Sequence, residues 1–193
     1  MTPGALHIDL DELLAASAGP AFYVVSKRKL AILFLSTFTA YAFYWFYQNW
    51  RSYKGKHPEA SRFGSTVSPA PRAAFSLFFT HALFRKIKTY GQAQPAVARW
   101  RCQLHATILV ALMLLANFID VLIKGAAGDA ASFASIFVLV LPFLKAQAII
   151  NLGCGDADGA GNDRLTRANW AWIVVGAAGW VLVIAGLLMP GEI

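Results

Sequence analysis

Four stretches of this chain carry almost no charge, and each is close to the length of a helix that crosses a bilayer. Leu30–Trp50, Cys102–Ile119 and Ala168–Gly191 contain no Asp, Glu, Lys or Arg, and Ala130–Ile150 contains only Lys145. Crossing about 30 Å of hydrocarbon takes roughly 20 residues at 1.5 Å rise. Inside lipid every backbone N–H and C=O must be bonded internally, so such runs become helices. The pattern predicts an all-α membrane protein with about four transmembrane helices, over about 29–49, 104–123, 131–151 and 170–189, in a single membrane domain 29–193 behind an N-terminal tail 1–28.

Only 14% of the 193 residues are charged, against about 25% in soluble domains. The net charge of +7 does not point to nucleic acid, because the Lys and Arg residues cluster between the apolar runs, where orientation signals belong. Residues 1–20 hold Asp9, Asp11 and Glu12 and no Lys or Arg, so a cleavable signal peptide is not expected. Asp9–Leu14 reads as one or two helical turns with an acidic start.

Residues 51–101 form a basic segment, a Gly- and Pro-rich loop followed by the uncharged Ala73–Phe84 and then Arg85, Lys86 and Lys88. Twelve residues give only about 18 Å of helix, so a short interfacial or re-entrant helix is expected over about 73–90, with Arg85, Lys86 and Lys88 reaching lipid headgroups; the alternative is a fifth, tilted span there, which would move the N-terminus inside. Lys124-Gly-Ala-Ala-Gly128-Asp129 is a tight polar turn that makes spans two and three a hairpin, with Cys102 and Cys154 on one side of the bilayer. Pro142 is expected to kink span three near residue 138. With four spans, segment 51–103 and the loop after span three carry twelve Lys and Arg against four on the other side, so the basic segment is expected in the cytosol and both termini outside. Lys27-Arg28-Lys29, directly before the first run, pulls against that orientation.

Polar residues at membrane depth are costly and are site candidates by default: His81, Asn117, Lys145 and Gln147, with Asp120 near its turn. A hairpin turning near residue 127 sets Lys145 level with residue 109 and Asp120 level with residue 134, too far apart to pair. Gly176, Gly179 and Gly186 share one face of the last span and let another helix, from a partner protein or a second copy, approach closely. Cys102, His105, Cys154 and Asp156 form a loose zinc-like pattern, and Asp156-x-Asp158-x-x-Gly161 starts like a calcium loop but offers Ala160 and Arg167 where carboxylates are needed. The chain has no G-x-S-x-G and no P-loop. No catalytic residue, cofactor or metal is assigned.

The stretch Thr37-Phe-Thr39-Ala-Tyr41-Ala-Phe-Tyr44-Trp45-Phe46-Tyr47-Gln-Asn49-Trp50 resembles the T-x-G-x-Y-x-x-Y-W-x-Y element of uncharacterised bacterial inner-membrane proteins of the domain-of-unknown-function type, with Thr39 or Ala40 in place of the usual Gly. Leu141-Pro142, Gln147 and Ile150-Asn151 before a Gly/Asp/Asn loop are similar too. The resemblance implies a bacterial inner membrane and no established activity, so no functional residue carries over. The resulting expectation is a non-enzymatic inner-membrane protein that acts through a partner protein or anionic lipid. The alternative is a small transporter or channel component with a polar pathway near Lys145.

Overall fold

The longest helix of the computed structural model contains a proline. It runs unbroken over Ala126–Gly153 with Pro142 inside, so the expected kink does not interrupt it. Pro142 lacks an N–H, and its own carbonyl is held from outside by the imidazole of His105, Nε2 to O 3.0 Å. The structure describes residues 19–57 and 68–188, all helix, turn and loop. The Asp9–Leu14 turn and most of the 54–71 loop lie outside them.

In chain order the helices are α1 Lys27–Ser36, α2 Tyr41–Lys56, α3 Pro69–Ala74, α4 Ser76–Gly91, α5 Pro95–Ala98, α6 Cys102–Leu122, α7 Ala126–Gly153 and α8 Arg167–Leu188, with a 3-10 turn at Ala160–Asn162. Three of them, α6, α7 and α8, are long and apolar enough to cross a membrane. Local chemistry sets the starts. Ser26 caps α1 by accepting the Lys29 N–H at 3.2 Å. Pro69 and Pro95 open α3 and α5, where the missing N–H costs nothing. Thr166 and Asn169 cap α8 reciprocally, each side-chain oxygen accepting the other's N–H at 3.2 and 3.0 Å. α6 and α7 pack as the expected antiparallel hairpin, turning at Ile123–Gly125 rather than near 127. The His105–Pro142 contact then sets the register. Lys145, three residues past Pro142, is level with Cys102, three before His105, and not with residue 109.

The first expected span is corrected. Residues 29–49 are not one helix: the chain breaks at Thr37–Ala40, and Phe38 and Thr39 take φ values of 50° and 69°. α1 and α2 are the arms of a hairpin whose two ends lie together. At the start of α1, the Val25 carbonyl accepts from Asn151 near the C-terminus of α7. At the end of α2, Tyr53 stacks on Phe22, centroids 5.7 Å apart. Phe143 of α7 wedges between the arms, 5.0 Å from Phe34 and 5.2 Å from Trp45. At the tip, Ser36 and Phe38 reach Gly176 and Gly179, half-way along α8. The hairpin thus enters alongside α8 and returns.

The end of the bundle that holds Cys102, Gly153 and Arg167 is its base. Cys102 and Cys154, both free thiols, lie there. With the hairpin returning, Lys27-Arg28-Lys29 share this base with the end of α2 and the second half of α4, and the two opposing charge signals of the sequence become one. Lys124, at the α6–α7 turn, lies at the opposite end. The expected short helix is present as α4, a 16-residue helix broken from α3 at Phe75. It leans across the base: Gly91 meets Gly153 backbone to backbone, while His81 reaches Thr107 inside α6.

Part of the expected tail belongs to the core: within 21–26, Ala21, Phe22 and Val25 are fully buried. A chain of buried amides locks this extended piece down. Trp45 Nε1 donates to Gln147 Oε1 at 2.6 Å. Gln147 Nε2 donates to the Tyr23 carbonyl at 2.9 Å and to Asn151 Oδ1 at 2.7 Å. Asn49 Oδ1 accepts the Tyr23 N–H at 3.2 Å. A second tie holds the α1 start to the loop before α8. The Ser26 hydroxyl donates to Asp163 at 2.8 Å, and Lys29 Nζ donates to Asn162 Oδ1 at 2.7 Å and to the Arg164 carbonyl at 2.8 Å. The Ser26 hydrogen bond, and next the charge of Arg28, holds the Asp163 carboxyl below its ordinary value. Gly159 sits under this tie with φ 69° and would drive a Cβ into the Val25–Ser26 backbone.

Removing the hub amide strands several buried partners, each worth about 1–3 kcal/mol when unpaired. Gln147→Leu should therefore lower unfolding stability in detergent by about 3 kcal/mol. Trp50, whose buried indole N–H has no partner, provides the contrast: Trp50→Phe should cost under about 1 kcal/mol beyond the lost ring area. Equal losses in a chemical denaturation series would refute the hub assignment.

Candidate functional site

The tip of the hairpin is irregular backbone at the mid-depth of a spanning helix, so its polar groups need partners inside the protein. They have them. The N–H groups of Thr37, Phe38, Thr39 and Ala40 donate to the carbonyls of Leu33, Leu35, Phe34 and Thr37. Thr37 Oγ1 donates to the Leu33 carbonyl at 2.7 Å and accepts the Tyr41 N–H at 3.0 Å, starting α2. Trp180 of α8 donates its indole N–H to the Leu35 carbonyl at 2.9 Å and stacks on Phe38 at 4.7 Å. Two successive non-glycine residues in the left-handed region cost roughly 1–3 kcal/mol each, offset by this stacking and by the close seat on α8.

Gly176 makes that seat. A Cβ there would collide with the Ser36 carbonyl, and one on Gly179 would press on the Phe38 ring at 2.8 Å. The glycine face expected to receive another protein is thus filled, at these two positions, by the chain's own hairpin. Gly186 has nothing within 4 Å of such a Cβ.

Below the tip, the hairpin and α8 do not close on each other. Between them lies a groove of about 610 Å³. Its apolar walls are Leu33, Phe38, Ala40, Trp172, Val175 and Gly179, and Trp172 and Val175 are more than 60% exposed along its open side. It runs from the Thr166–Asn169 cap at the base to Gly179, thirteen residues along α8 or about 20 Å. Its polar lining includes the phenols of Tyr41 and Tyr44, backed by Tyr23. Tyr41 and Tyr23 share a hydroxyl hydrogen bond of 3.1 Å, and the Tyr44 ring lies 5.4 Å from Tyr41 and 6.0 Å from Tyr23. The arrangement can take up a long apolar group at membrane depth and offer hydroxyls beside it. It has no nucleophile–base pair and no acid.

The residues picked out in the sequence are scattered. Gln147 is fully buried and saturated by Trp45, Tyr23 and Asn151. Lys145, two residues away, is on the exposed face of α7, and Asn117 is exposed and bonds back to the Met113 carbonyl. No pathway gathers these three. His81 is half-buried and donates from Nε2 to Thr107, whose own hydroxyl proton goes to the Gln103 carbonyl. Of the three basic residues on α4, Arg85 is exposed, Lys86 Nζ donates to the Tyr53 hydroxyl at 2.9 Å, and Lys88 Nζ turns to the Trp100 carbonyl at 2.9 Å. Both nitrogens of His105 are engaged: Nδ1 accepts from Trp100 at 3.0 Å, so Nε2 carries the proton given to Pro142. Asp156 spends its carboxylate on the Ala160 and Gly161 N–H groups. Among the described residues no three His, Cys, Asp or Glu side chains gather to hold a metal ion.

Sequence reasoning missed the groove and the amide hub. The Ser36-Thr37-Phe38-Thr39 run was the available signal, since these hydroxyls compete with helix hydrogen bonds. Gly176→Val should unseat the hairpin and cost about 2 kcal/mol or more, with faster hydrogen exchange at 35–41, whereas Gly186→Val should leave both unchanged. Matching behaviour of the two variants would show that the tip does not rest on Gly176. Comparison with protein-family models, curated proteins and solved structures returns no match for this chain.

Proposed function

We propose that this chain is a non-enzymatic protein of the bacterial inner membrane that holds a lipid acyl chain in the groove between its re-entrant hairpin and α8. The observation that carries the reading is the groove itself: apolar, about 20 Å long, open on the side where Trp172 and Val175 are exposed, and at the depth of a spanning helix. A cavity of about 610 Å³ is within the range of small-ligand sites, and at this depth hydrocarbon is the surrounding solvent. The basic base faces the cytosol, following the bias of Lys and Arg toward that side, and meets anionic lipid there. Each basic residue near an anionic surface contributes about 1 kcal/mol.

Filling the groove without touching the core tests the reading. Val175→Trp, at a position open to lipid, should cut the lipid retained through purification severalfold, as counted by native mass spectrometry, with an unchanged unfolding midpoint. Undiminished lipid in a folded variant removes the groove from consideration. Topology is tested separately with single cysteines at Pro20, Gly55 and Lys124 in a chain lacking Cys102 and Cys154. In intact cells an impermeant maleimide should label residue 124 alone, and permeabilisation should expose 20 and 55 together. Labelling of 20 and 55 from opposite faces would mean that the first hairpin crosses.

A further inference from the structure

At the base, the end of α2 and the second half of α4 enclose a cleft of about 400 Å³ lined by Tyr53, His57, Ala82, Arg85, Lys86, Thr89 and Tyr90. Two of these are basic side chains, one is an imidazole, and none is acidic. Arg85 is exposed and brings a planar fork of donors suited to a phosphate. Lys86 is fixed in place: its Nζ donates to the Tyr53 hydroxyl at 2.9 Å and sits 4.4 Å from the centroid of that ring. Tyr53 is itself clamped by the His57 ring, stacked 4.3 Å away and nearly parallel at 19°. The His57 Nδ1 lies 3.1 Å from the Tyr53 carbonyl, which can only accept, so Nδ1 carries the proton and spends it on holding Tyr53 in place. The Tyr53 hydroxyl, having accepted from Lys86, keeps its own proton to donate. Thr89 adds a hydroxyl.

We propose that this cleft is a binding site for a phosphate group, and that its occupant is the headgroup of an anionic phospholipid in the cytosolic leaflet. The site differs from the general attraction of a basic surface in its fixed parts, a lysine held by a hydrogen bond and a ring rather than waving in solvent. It shares with the proposed acyl-chain groove only the membrane setting, and no residue. A lipid source follows from the lean of α4, which carries Arg85 and Lys86 between Gly153 at the base and Thr107 inside α6, the level at which headgroups lie over a spanning helix.

The whole protein in nonionic detergent is titrated with phosphatidic acid, phosphatidylglycerol, phosphatidylcholine and inorganic phosphate, and bound lipid is read by native mass spectrometry. The two anionic lipids should bind at least about tenfold tighter than phosphatidylcholine, and Arg85→Gln with Lys86→Gln should abolish that difference, as expected for losing charged hydrogen bonds. The control Arg51→Gln with Lys54→Gln removes the same charge from the base outside the cleft, and Val175→Trp blocks the groove; both should keep the preference. An equal loss in the Arg51/Lys54 control would reduce the effect to surface charge and overturn the cleft. Inorganic phosphate displacing the lipid at equal concentration would overturn the headgroup assignment. Fewer lipids retained by Val175→Trp with the headgroup preference intact would support a cleft separate from the groove, and loss of the preference in that variant would overturn it. An unchanged unfolding midpoint in the Arg85/Lys86 pair, together with unchanged lipid preference, would also refute the site.

Discussion

Every backbone polar group that this chain takes away from water has to be satisfied by the chain itself, and that constraint shapes the fold more than apolar burial does. Regular helix solves it for α6, α7 and α8. The segment around Tyr23–Ser26 and the hairpin tip have no regular ladder, so local backbone turns at the tip and side chains from the helices supply it. Gln147 and Asn151 of α7 reach out to the Tyr23 and Val25 carbonyls, Asn49 of α2 takes the Tyr23 N–H, and Trp180 of α8 covers the Leu35 carbonyl. Each is a long-range bond between an irregular stretch and a rigid helix. Together they fix the hairpin to α7 on one side and α8 on the other.

The groove follows from the same constraint. A hairpin that only half-enters has arms of 10 and 16 residues, and it can press on α8 only where α8 has no side chains in the way. Its closest approach is at the tip, on Gly176 and Gly179. Below it Trp172 and Val175 face outward, more than 60% exposed, and the groove stays open beside them. Strain at Phe38 and Thr39 and the open wall are two aspects of one geometry, a sharp turn held by a few contacts at its apex.

Much of this was legible in the sequence. The all-helical class, the α6–α7 hairpin, the last long helix and the short helix near 73–90 follow from charge-free length and from Gly and Pro punctuation. What misled was also charge-free length. Leu30–Trp50 passes every test for a span because those tests weigh side-chain polarity. They ignore the local competition that Ser36, Thr37 and Thr39 offer the backbone. Gln147 was legible as costly but not as structural, since its partners at Tyr23 and Trp45 are more than a hundred residues away. Lys86 and Lys88 looked alike on paper; only packing turns one to Tyr53 and the other to Trp100. The paired charge signals at 27–29 and 51–101 conflicted for any crossing helix, and that conflict was itself the best hint of a return.

The separation of these bonded partners along the chain also orders assembly. Trp45 and Gln147 are 102 residues apart, Val25 and Asn151 126, and Trp180 and Leu35 145. A ribosome delivers the first hairpin long before anything that can satisfy its turn exists. Until α7 and α8 have been threaded into the bilayer, the Thr37–Ala40 apex has no indole above it and no amide beneath its roots. The hairpin, made before α6, α7 and α8, can therefore gain its final bonds only once those helices are in place.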